Sequence, residues 1–259
     1  MTTTPICYKR NFLREVVARV DFISPIEELS NHLPPEISKA AKQHFPIAEP
    51  IEMVTSEIKV VPSSENVEHK IARFNQWNFH GKNREKTLSI IPSAFFVRYT
   101  KFKNFDSLRD EFMSVFEAFY ERYKDLQSKR VGLRFINDFA GDDFTNEEPN
   151  PFNWHQYIKT EMISCLLYPS EEDRDKVSRA LQTIEFSFEN LSMRIVYGLF
   201  NPDYPSPIRK KTYILDLDAY SHVVYEAGDI HRLLDDLHTI IQKYFEHSIT
   251  PEMRALLNR

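Results

Sequence analysis

Apolar residues recur with two periods along this chain, and the change from one period to the other divides it into elements. Val16, Ala18, Val20 and Phe22 alternate with Val17, Arg19 and Asp21, the period-two pattern of a strand with one buried face. Ser24-Pro25-Ile26-Glu27 follows with a capping hydroxyl, a proline at the first helical position and a glutamate, so a short helix is expected there. Pro34-Pro35 breaks it and opens a second helix, with Ile37, Ala40, Ala41 and Phe45 along one side. Extended segments are predicted over 51–61, 71–79 and 86–100, with His80-Gly81-Lys82-Asn83 as the turn between the last two. Asp106 is the expected cap of a long helix striped by Leu108, Phe112, Val115, Phe116, Phe119, Tyr123 and Leu126.

The same order then recurs. A strand places Val131, Leu133 and Phe135 inward and Arg134 outward, and a helix near 153–168 carries Trp154, Tyr157, Ile158, Met162, Cys165 and Leu166. Strands over about 176–189 and 191–200 meet at a turn near Asn190, and another runs from Thr212 to Tyr220. Asp229 caps a last long helix with Ile230, Leu233, Leu234, Leu237, Ile240, Ile241 and Tyr244 on its stripe. Laid over each other, Arg19 falls on Arg134, and Asp106 falls near Asp229. The expected fold is α+β, built from two similar antiparallel-sheet halves, 1–127 and 128–259. Each half runs strand, helix, strands, long helix, with its helices packed on one face, and the two sheets can join edge to edge into one pseudo-symmetric sheet. Segments 63–69, 140–152 and 201–210 are polar or proline-rich and read as loops.

Composition narrows the function more than the fold. Of 259 residues, 42% are hydrophobic and 27% charged, a globular profile with ample material for a core. Five glycines against fifteen prolines remove most phosphate-cradling loops and dinucleotide-binding folds, which need clustered glycines. Cys7 and Cys165 stand far apart with no CxxC spacing, which suits a reducing compartment. No apolar h-region opens the chain and no apolar run approaches a membrane span, so a cytoplasmic protein away from membranes is expected. The net charge of -5 divides into +1 for residues 1–127 and -6 for the rest, which disfavours nucleic acid as a partner.

Motifs for nucleophilic or phosphate chemistry are missing: no G-x-S-x-G, P-loop or HExxH occurs, and Ser56-Glu57-Ile58-Lys59 matches S-x-x-K without its partner motifs. His231 and His238 lie two turns apart, too far to share a tetrahedral ion, and off the apolar stripe, so they are expected to be solvated or partly packed. His247 is explained by its favourable interaction with a helix C-terminus. The strongest candidate is Asp216-Leu217-Asp218, whose carboxylates point to one side of a strand while Leu215, Leu217 and Ala219 point into the core. If their strands are neighbours, Arg134, Asp138, Arg194, Asp216 and Asp218 form one polar surface. Such a surface can hold Mg²⁺ or Mn²⁺ for phosphoryl chemistry, or be a salt-bridged sheet face. The arginines can neutralise the aspartates unaided, so the second is expected, with Asp216 the first-choice partner of Arg134. Phe95 to Lys103 interleaves aromatic and basic residues as a single-strand stacking platform would, but its aromatics fit a strand leading into the following helix.

Lys129-Arg130-Val131-Gly132-Leu133-Arg134-Phe135-Ile136-Asn137-Asp138 resembles the GLRYIN strand of a sporadically distributed, uncharacterised family of bacterial proteins, with Phe135 where that family usually has tyrosine. Glu15-Val16-Val17-Ala18-Arg19-Val20, Ile214-Leu215-Asp216-Leu217-Asp218 and the ending Leu237-His238 … Phe245 … Ile249-Thr250-Pro251-Glu252 extend the resemblance over nearly the whole chain. Its patchy distribution implies mobile-element or defence genes and no transferable activity. The expectation is a non-catalytic binding or regulatory protein with no cofactor, engaging a protein partner or itself. The alternatives are a metal-dependent nuclease or phosphotransfer enzyme using the aspartates, and a small-molecule or nucleotide sensor binding between the halves.

Overall fold

The computed structural model describes residues 6–60, 67–140, 151–208 and 212–258. The strands are β1 (Leu13–Phe22), β2 (Ile47–Ala48), β3 (Ile51–Val60), β4 (Val67–His80), β5 (Lys86–Ile91), β6 (Ala94–Tyr99), β7 (Gln127–Ala140), β8 (Ala180–Ser187), β9 (Ser192–Phe200), β10 (Thr212–Ser221) and β11 (Tyr225–Glu226). They form one antiparallel sheet in the order β2-β4-β5-β6-β1-β7-β10-β9-β8, with β3 paired to β4 and β11 to β7. Helices α1 (Pro35–His44), α2 (Phe105–Arg122), α3 (Thr160–Leu167), α4 (Ile230–Ser248) and α5 (Pro251–Leu257) complete the α+β fold. Within residues 13–99 the strands run β1-β6-β5-β4 outward from the centre, and within 127–221 they run β7-β10-β9-β8 in the same manner. The pair β1–β7 joins them, Ala18 facing Leu133 and Val17 facing Arg134.

Period-two alternation decides which face the helices cover. Val16, Ala18 and Val20 of β1 stand beside Phe135, Leu133 and Val131 of β7, all buried on the helix side. Leu215, Leu217 and Ala219 of β10 continue that surface, as do Met193, Ile195 and Tyr197 of β9. Phe95 meets Phe112, Phe116 and Phe119 of α2 edge-on at 4.8, 5.7 and 5.6 Å, an arrangement that adds aromatic attraction to the burial. From α4, Leu233, Leu234, Leu237 and Ile241 close the other half of the core.

Several local expectations are corrected. Asn104, not Asp106, caps α2: its Oδ1 accepts from the Ser107 N–H at 2.8 Å, leaving Asp106 in the first turn where its charge suits the helix dipole. Asp229 does occupy the N-cap of α4, without a side-chain capping bond. The segment 86–100 is two strands, split by the turn at Pro92-Ser93. After Ser24 the chain makes only a 3-10 turn over Glu27–Ser30, and the helix expected near 153–168 divides into a 3-10 turn, Pro151–Gln156, and α3. Residues 67–69 belong to β4 rather than a loop, whereas 63–66, 141–150 and 209–210 of the expected loops lie outside the described residues. Of the two outcomes expected for the histidines of α4, His238 takes the partly packed one: its ring stacks on Phe105 with centroids 3.9 Å apart, because α4 runs beside the start of α2. His231 is the exposed one, 3.6 Å from Asp235. Among the described residues no helix is long and apolar enough to cross a membrane.

Candidate functional site

The side of the sheet opposite the helices carries the charged residues that alternate with the core. Antiparallel register sets Asp218 of β10 directly across from Arg134 on β7 and Arg194 on β9, so side chains from three strands converge. Arg134 leans diagonally past Asp218 to Asp216, a reach that a long side chain makes easily. Its Nε donates to Asp216 Oδ1 at 2.8 Å and its Nη2 to Oδ2 at 2.5 Å, a bidentate charge-assisted pair. The first-choice partner is therefore the observed one.

Asp218 lies between Arg130 and Arg194, each 3.5 Å away. Burial pushes its carboxyl above the ordinary aspartate range, and the guanidinium groups of Arg130, Arg134 and Arg194 pull the other way without cancelling the desolvation. Both aspartates are nearly inaccessible, Asp216 at 5% and Asp218 at 8%, although among the described residues no helix lies over them. Guanidinium groups and rings cover this surface instead: Arg130 stacks on Tyr220 at 4.8 Å, Arg19 on Phe96 at 5.2 Å and Arg14 on Phe200 at 5.8 Å.

Of the five residues expected on this face, Arg134, Arg194, Asp216 and Asp218 come together. Asp138 shares the face, but it stands toward the far end of β7, 3.8 Å from Arg14. Sequence reasoning missed Arg130, which bridges Asp218 to Asp21 at 3.8 Å, and Arg19, bonded to Asp21 at 2.6 and 2.9 Å. The signal was available, since Arg130 and Arg134, like Arg19 and Asp21, share one parity on their strands. Arg98 and Glu15 pair on the same face. Across β1 and β6–β10 the face thus sets six arginines, Arg14, Arg19, Arg98, Arg130, Arg134 and Arg194, against six carboxylates, Glu15, Asp21, Asp138, Glu185, Asp216 and Asp218.

The stacking platform does not assemble. Phe95, Val97 and Tyr99 point into the core, and only Phe96 and Arg98 of that strand reach the charged face. Ser56 to Lys59 lies within β3, away from this surface. Among the described residues no three His, Cys, Asp or Glu side chains are placed to share a metal ion.

Removing Arg134 leaves the Asp216 carboxylate buried without its two guanidinium hydrogen bonds. The Arg134 side chain is itself 38% exposed, so water can recover part of the loss, and Arg134→Ala is expected to lower stability by about 1–2 kcal/mol. Urea denaturation measures this, and adding Asp216→Asn should restore about half, since the orphaned charge is then gone. An additive double variant would mean the two side chains are not coupled.

No family model matches this chain, and no curated protein is significantly similar to it.

Proposed function

We propose that this chain is a non-catalytic binding protein that recognises a protein partner through the arginine-rich, helix-free face of its sheet. One observation carries the reading: both oxygens of Asp216 are bonded to a single guanidinium, inside a surface where arginines and carboxylates balance. A phosphoryl-transfer site holds its carboxylates in reserve for the cation. Here each aspartate is already committed to arginine, which makes the face rigid and charge-neutral. A neutral mosaic of guanidinium groups, rings and aliphatic side chains such as Val17 and Val196 suits a protein surface better than a polyanion. The reading includes descent of the two halves from one repeated unit, supported by their matching strand order. It also includes kinship with the sporadic bacterial family, supported by the four matching segments, and the accessory or defence setting that such a distribution implies.

Titration calorimetry with Mg²⁺ and Mn²⁺ is expected to give no binding heat, and DNA, RNA and nucleoside triphosphates should stay intact with either cation. Turnover that disappears in Asp216→Ala/Asp218→Ala would replace this reading with the metal-enzyme one. Native mass spectrometry of protein purified gently from its own cell should show a second polypeptide, lost when Arg98 and Arg194 at the rim are both changed to Glu. A partner that stays bound to that variant, or none at all, would remove the sheet face from the function.

A further inference from the structure

The two halves of the sheet repeat one strand order from the centre outward but end differently. β2 and β3 line the outer edge of β4 in one continuous register, Ile47 facing His80 and Ile51 facing Gln76. β8 holds the corresponding place in the other half, and among the described residues no strand lies on its outer edge. Such an edge presents a row of unpaired N–H and C=O groups, a template for another extended segment.

Proteins that keep an edge to themselves blunt it with proline, lysine, a bulge or a very short strand. β8 has none of these. Its eight residues contain neither proline nor lysine. Its register against β9 runs unbroken from Ala180 opposite Leu199 to Ser187 opposite Ser192. Leu181 and Ile184 are exposed, one on each side of the strand.

Charge identifies what the edge fits. Arg179, immediately before β8, stacks on Tyr204 at 4.6 Å, and Glu185 stands opposite Arg194, whose guanidinium reaches Asp218 instead. Among the described residues neither Arg179 nor Glu185 is paired with an opposite charge. In an extended chain Arg179, Leu181, Thr183 and Glu185 share one side, here that of the charged face.

We propose that two copies of this chain join through β8, antiparallel, about a two-fold axis at Gln182. That register sets Arg179 of each copy opposite Glu185 of the other, Ala180 opposite Ile184, and Leu181 opposite Thr183. An axis at Thr183 would set Glu185 against Leu181, and one at Ile184 would set it against Thr183. Either leaves both charges unpaired. The strand supplies both members of each ion pair, so its edge is complementary to itself and a second copy satisfies it. The junction is short, which places the dimer among weak, concentration-dependent associations. The two sheets continue into one across it, but the dimer does not depend on the arginine face binding a partner, and its failure leaves that reading untouched.

Sedimentation velocity of the full chain from about 1 to about 300 μM is expected to show monomer passing into dimer, with β8 amides gaining protection from hydrogen exchange in step. R179E alone and E185R alone should each weaken the dimer about tenfold, because like charges then meet at both ends of the junction. An equimolar mixture of the two variants should regain the parent's dimer, since each R179E chain meets opposite charges on an E185R chain at both positions. That recovery also shows that both variants are folded. A chain that stays monomeric throughout, a dimer unchanged by either variant, or a mixture as weak as its components overturns the proposal.

Discussion

Replacing Gly198 with alanine is expected to lower stability by about 4 kcal/mol. Gly198 lies within β9 at φ +129°, a backbone region that L side chains rarely adopt. An added Cβ would collide with the Ala180 carbonyl oxygen and come within 3.3 Å of Leu181 Cα, both part of the β8 backbone rather than a side-chain tip that could swing away. Among the described residues β8 is the last strand on its side of the sheet and pairs only with β9, so the strain is most easily relieved by peeling β8 away. Gly228 provides the control, since a Cβ there meets nothing within 4 Å and Gly228→Ala should stay within about 0.5 kcal/mol of the parent. Denaturant midpoints give both values, and hydrogen exchange should show β8 amides losing protection first. A loss below about 1 kcal/mol at Gly198 would contradict the backbone geometry described for β9.

Acidification from pH 7 to pH 5 is expected to remove about 2 kcal/mol of stability through one side chain, His238. Burial against Phe105 and Phe135 holds its pKa down to about 4, against 6.5 for an ordinary histidine. Asp106 and Asp235 act in the opposite direction and Arg109 reinforces the effect, but desolvation is the largest influence. With a depressed folded pKa, the unfolded chain takes up the proton first as pH falls. Stability is therefore complete above about pH 6.5 and drains away between there and about pH 4. Asp218 works in reverse, because its raised carboxyl pKa favours the folded state as pH falls toward it, so the parent protein alone shows a mixed response. The difference between parent and His238→Gln isolates the imidazole: the variant's stability should be flatter between pH 7 and 5 by about 2 kcal/mol. Parallel profiles would assign the acid sensitivity to other groups.

Most of the sheet and the charged face were legible in the sequence, because period-two alternation fixes which residues share a side whatever the neighbouring strand is. Asp216 and Asp218 could be placed on one face from Leu215, Leu217 and Ala219 alone, and the bond from Arg134 to Asp216 followed once β7 and β10 were taken as neighbours. Arg130 and Asp21 escaped notice because their pairing depends on the β1–β7 junction, and register across a junction is tertiary information. Caps were ambiguous for a local reason: Asn104 and Asp106 are both good capping residues two apart, and the hydrogen bond to the Ser107 N–H decides between them. His238 could be placed only as solvated or partly packed, because stripe phase reports burial against the sheet, whereas its packing comes from the side, against α2.

The β1–β7 junction also imposes an order of events on the growing chain. β1 pairs with β6 on one edge and β7 on the other, and β7 begins roughly a hundred residues after β1 ends. At ordinary rates of synthesis the outer edge of β1 waits on the order of ten seconds for its partner. Through that interval the nascent first half presents a strand whose N–H and C=O groups are unsatisfied, and β1 carries Val16, Val17, Ala18 and Val20 along it. Two such nascent chains on one messenger hold matching edges, and an antiparallel β1–β1 pairing between them would imitate the native junction. The central seam of the finished sheet is thus its most vulnerable surface during synthesis, and production of the protein should be sensitive to ribosome spacing and to chaperones that cover strand edges.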